Sequence, residues 1–65
     1  MTPEQKAAYI NAQCISANAD IQGMIAENQH RLSLGLSIAY DEQAFAEVPD
    51  RYGIHHNQII DFFRD

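Results

Sequence analysis

Between Ala7 and Met24 the apolar residues recur every three or four positions, at Ala7, Ile10, Cys14, Ala17, Ile21 and Met24. That spacing puts them on one stripe of an α-helix. Ile25 and Leu32 fall beside the stripe and widen it, whereas Ile15 lies off it. Continued stepping reaches Asn28 and Arg31, so the apolar seam weakens there. Asn28 fits either a register-setting polar residue of a coiled coil or a wet position where the helix leaves its core. A second row, Ser16, Ala19, Gly23 and Ala26, is uniformly small. Close approach of another helix would account for Gly23, which costs roughly 1 kcal/mol of helix propensity relative to alanine.

The ends of this helix are signalled locally. Thr2 is a capping residue, Pro3 suits the first helical position, Glu4 complements the helix dipole, and Gln5 stands three residues after Thr2. No proline follows until Pro49, and six alanines between Ala7 and Ala26 favour helix. Gly35 stops it by supplying a left-handed residue, so the pattern predicts one long helix over 3–32. Leu32, Leu34, Leu36 and Ile38 would then pack the corner that follows.

A second helix is predicted over 38–48, capped by Ser37 or Asp41 and stopped or distorted by Pro49. The alternative is one uninterrupted helix through to Glu47. Pro49, Asp50 and Gly53 punctuate a turn. A third helix follows over 55–63, with Ile59, Phe62 and Phe63 turned inward over Tyr52 and Ile54. No segment alternates as a strand does. The fold class is therefore all-α: a single small domain of one long N-terminal helix and two short ones, packed as an oligomeric helical bundle.

Size sharpens this expectation. The chain has 65 residues, too few to bury much surface alone. A thirty-residue helix is about 45 Å long, more than two short helices cover. One cysteine allows no internal disulfide. The expected remedy is a homo-oligomer, a dimer above all, with Ala7, Ile10, Cys14, Ala17, Ile21 and Met24 at the interface.

The formal charge is −5 and uneven. Residues 1–36 carry three carboxylates against two cations, and residues 37–65 carry six, Asp65 included, against Arg51 and Arg64. Such a balance disfavours nonspecific nucleic-acid or anionic-membrane binding. It suits a basic protein partner, for which Asp41, Glu42, Glu47, Asp50 and His56 form the candidate surface. No apolar run approaches a membrane span and no basic start leads into an apolar core, so the expectation is a cytoplasmic protein with Cys14 reduced.

The run AFAEVPDRYGIHHNQII resembles the two-helix core of helix-turn-helix proteins. The resemblance puts Gly53 in the turn, Ile54 in the buried position after it, and Ile59 and Phe62 on the inward face of the second helix. It implies base-edge contacts from His56, Asn57 and Gln58. The run departs from the pattern at Pro49, where the first helix ordinarily carries a small residue. Asp50, Asp61 and Asp65 also oppose a phosphate backbone.

Catalytic chemistry finds no support. His55 and His56 are adjacent, so on a helix they diverge by about 100° and do not share one metal. Cys14 lies on the apolar stripe with no basic neighbour at helical spacing. Ser33 or Ser37 with His30 and Asp41 form a triad only on paper, and the carboxylates follow no metal-loop pattern. The chain is expected to be no enzyme and to use no cofactor or metal. The reading that remains is a small acidic protein-interaction or regulatory protein acting as an oligomer. Its alternatives are a degenerate helix-turn-helix DNA-binding regulator and a purely structural oligomer.

Overall fold

The first helix, α1, runs over Pro3–Ser33 and spans nearly the whole molecule in the computed structural model, which describes residues 1–64. Asp65, counted in the charge above, lies outside the described residues. At its start the Gln5 amide donates to Thr2 Oγ1 at 3.1 Å, and the Thr2 amide donates to Gln5 Oε1 at 2.9 Å. Two end amides are thus satisfied reciprocally. At its other end the Leu36 amide donates to the Arg31 carbonyl at 2.9 Å and the Gly35 amide to the Leu32 carbonyl at 3.0 Å. This is a Schellman motif, and it requires the left-handed backbone that Gly35 adopts at φ 75°.

The chain then doubles back, and Asn28 holds it there. Its Oδ1 accepts from the amides of Ala39 and Tyr40 at 3.0 and 2.9 Å, and its Nδ2 donates to the Tyr40 carbonyl at 2.8 Å. Arg31 Nε adds a bond to the Ser37 carbonyl at 2.8 Å. Asn28 is therefore neither a wet position nor a coiled-coil register residue. It is a bracket for the returning chain.

The expected helix over 38–48 is replaced by a loop and two short helices, α2 (Glu42–Ala46) and α3 (Val48–Arg51). Its first residues are committed to Asn28, so the helix begins only where Asp41 Oδ1 caps the Ala44 amide at 2.9 Å. It breaks at Glu47 because Pro49 has no amide to give the Phe45 carbonyl. Pro49 instead starts α3. α3 ends as α1 does. The Ile54 amide donates to the Pro49 carbonyl at 2.9 Å and the Gly53 amide to the Asp50 carbonyl at 3.1 Å, with Gly53 at φ 69°.

The last helix, α4, occupies His56–Phe63, one residue later than expected. Gln58 Oε1 accepts the His55 amide at 2.9 Å, and Gln58 Nε2 donates to the Asp50 carbonyl at 3.3 Å. This ties α4 to the end of α3.

The core is small. Val48 is fully buried against Ala17 and Met24 of α1, with Ile21, Ala44, Phe45, Tyr52 and Ile54 packed around them. Polar ties flank it: Gln13 Nε2 donates to the Tyr52 carbonyl at 3.0 Å, and Arg51 pairs with Asp20 at 3.0 Å. Farther along, Tyr9 meets Phe62 with ring centroids 5.4 Å apart, and the Lys6 ammonium sits 5.9 Å from the Phe62 ring centre. The covered face of α1 thus steps through Ile10, Gln13, Ala17, Ile21, Met24, Asn28 and Arg31.

The result is a slab of 50 × 18 × 10 Å. Its radius of gyration, 15.1 Å, exceeds the about 11 Å of a compact chain this long. Its surface, 4804 Å², exceeds the about 4,200 Å² usual for its mass. α1 is covered along one side only.

Candidate interaction surface

The stripe expected between copies is largely occupied within one copy. Ala17 and Met24 are buried and Ile10 and Ile21 half-buried, whereas Ala7 and Cys14 remain exposed at its edge. The expectation treated the C-terminal half as too short to cover α1. Three polar side chains along the stripe, Gln13, Asp20 and Asn28, instead recruit that half onto it. Sequence reasoning missed these roles because the partners lie 11 to 39 residues away.

The apolar surface that stays open lies elsewhere. Leu32, Leu34, Leu36 and Ile38, expected to fill the corner after α1, are 59, 61, 48 and 47 % exposed. The corner is held by backbone and polar bonds and needs no apolar filling. Ile25 on α1 is also exposed, as are Ile15 on another side and Met1 at the start. An ordered segment thus presents large apolar side chains to solvent, which monomeric proteins seldom do over a contiguous area. The small row of Ser16, Ala19, Gly23 and Ala26 is exposed too, and nothing lies within 4 Å of where a Gly23 Cβ would sit.

At the other end, Met1, Tyr9, Ile10, Tyr52, Gly53, Gln58 and Phe62 line an open groove of about 260 Å³. Its walls are mainly apolar and carry no charged side chain. Asp41, Glu42, Glu47, Asp50 and His56 are all exposed. Asp41 is engaged as the cap of α2, and Glu47 accepts from Gln43 at 3.3 Å. The 41–50 segment holds four carboxylates and no cation, so it forms a negative edge.

The run that resembles a helix-turn-helix has its turn at Gly53 but not the helix before it, because the break at Glu47 leaves five- and four-residue pieces. Arg51 is engaged by Asp20, and Arg64 stands 3.7 Å from Asp61. His55, His56 and Asn57 are exposed, but both arginines of this segment stand against carboxylates, which weakens any grip on a phosphate backbone. Among the described residues, no three His, Cys, Asp or Glu side chains come together as a metal set. No helix among them is long and apolar enough to cross a membrane. Comparison with protein-family models, curated proteins and solved structures found no match for this chain.

Proposed function

We propose that this chain is a protein-interaction module that works as a homo-oligomer, with a dimer as its basic unit. The observation that carries this reading is the ordered apolar segment after α1, where Leu32, Leu34, Leu36 and Ile38 stay open while Asn28 and Arg31 hold the backbone. Covering apolar side chains on a backbone that is already fixed adds no backbone-ordering cost, which favours association. The shape argues the same way. Stable domains are built from at least two packed layers, whereas here the second layer covers α1 along one side only and the molecule stays extended, at 50 × 18 × 10 Å. The negative edge at 41–50 suits a basic protein surface as the further partner of the assembled form.

Sedimentation equilibrium tests the reading. At about 50 μM, where an interface of micromolar strength is populated, the wild-type mass is expected at twice the 7.4 kDa of one chain. The Leu34→Gln/Leu36→Gln variant, altered only at exposed positions, is expected to shift toward one chain with its helicity unchanged. A wild-type mass of one chain at that concentration overturns the reading.

A further inference from the structure

We infer that a second copy of this chain docks antiparallel along the edge of α1 formed by Ala7, Cys14, Ile25 and Leu32; this arrangement rests on the self-association proposed above. These residues recur at helical spacing beside the face that the chain's own C-terminal half covers, and half-buried Ile21 joins the two. The edge is open at Ala7, Cys14, Ile25 and Leu32, and Leu32 leads in sequence into the exposed segment after α1.

The direction of pairing comes from side-chain size. The edge is small in its first half, at Ala7 and Cys14, and large in its second, at Ile25 and Leu32. Parallel pairing sets small on small at one end and large on large at the other, leaving a gap and a crowd. Antiparallel pairing sets Ala7 on Leu32 and Cys14 on Ile25, in the same register at both levels and twice by symmetry. Large-on-small pairing is how facing helices fill their interface. The two-fold axis then crosses α1 between Ala19 and Asp20. The same register brings the end of α1 in one copy, with the exposed segment that follows it, to the start of α1 in the other, where Met1 is 71 % exposed. Antiparallel helix dipoles add a small favourable contribution.

The exposed apolar area of these residues approaches what an interface needs. At ~200 Å² per residue, the exposed fractions of Met1, Ile25, Leu32, Leu34, Leu36 and Ile38 amount to roughly 600 Å² on each copy, against about 800 Å² per partner in a standard stable interface. Ala7 and Cys14 are exposed as well and add to that area. Gly23 and its row of small residues lie on the far side of α1 and stay outside this contact.

Thiol crosslinking of the full chain tests the direction. In the antiparallel dimer the two native Cys14 thiols are separated along the helices by about 16 Å, beyond the roughly 7 Å Cα reach of a disulfide. Mild oxidation of the wild type is therefore expected to leave it uncrosslinked. The Ile25→Cys variant sets a thiol at position 25 against Cys14 of the other copy. It is expected to form a covalent dimer whose proteolytic fragments join positions 14 and 25. Within one copy those positions are about 16 Å apart along α1, so they cannot join internally. Should Ile25→Cys weaken association, the Ala7→Cys/Leu32→Cys variant in a Cys14→Ser background asks the same question at the outer level, with a 7-to-32 linkage expected. Rapid Cys14–Cys14 crosslinking of the wild type overturns the antiparallel arrangement while self-association stands. A dimeric mass with no 14-to-25 and no 7-to-32 linkage overturns the docking edge. A single-chain mass throughout removes the underlying reading as well.

Discussion

Replacing Asn28 by alanine is expected to detach the returning chain from α1 without unfolding α1. The side chain makes three bonds to residues 39 and 40, two as acceptor and one as donor, at 2.8 to 3.0 Å. Each is worth about 0.5–1.5 kcal/mol net. The segment is exposed and water replaces part of the loss, so the lower half of that range applies and the total is about 2 kcal/mol. A 65-residue chain has roughly 3–10 kcal/mol of stability to lose. The melting temperature should therefore fall on the order of 10 °C. Urea denaturation and amide hydrogen exchange, run at one fixed protein concentration, check this. The amides of Ala39 and Tyr40 should lose protection, while those in the first half of α1 should not. Asn28→Asp separates the roles, because it keeps an oxygen for both amides and loses the donor to the Tyr40 carbonyl. Protection at Ala39 and Tyr40 should survive in that variant. If Asn28→Ala leaves the exchange of these amides and the stability within about 0.3 kcal/mol of wild type, the bracket is not what holds the fold.

Gly35→Ala and Gly53→Ala each force a side chain into a left-handed backbone and should each cost about 1 kcal/mol in urea denaturation. Gly23→Ala should do the opposite, adding up to about 1 kcal/mol in the same assay, since a Cβ there meets nothing within 4 Å. It should also leave the mass by sedimentation unchanged; dissociation in this variant would place the contact on the small-residue row instead. Val48→Ala removes two methyl groups from a side chain that is fully buried and should cost about 2–3 kcal/mol, read as a lower denaturation midpoint at unchanged slope.

Both ends of α1 were legible in the residues themselves. Thr2, Pro3 and Gln5 at the start and Gly35 at the end act through bonds spanning a few positions, which those residues favour without help from distant parts of the chain. The same holds for the turn at Gly53, the disruption at Pro49 and the all-α class, which follows from three-and-four spacing. Only the tertiary structure decided how the apolar stripe is used. Asn28 reads as a weakening of the apolar stripe, and Gln13 and Asp20 carry no signal of their own, until the segments that meet them, at Tyr40, Tyr52 and Arg51, are brought back across the chain. That return also ends the expectation of a helix starting at residue 38, because the amides of Ala39 and Tyr40 are already bonded to α1. Helical spacing marks which residues can be covered. What covers them depends on bonds between distant residues, whose closure no local pattern encodes.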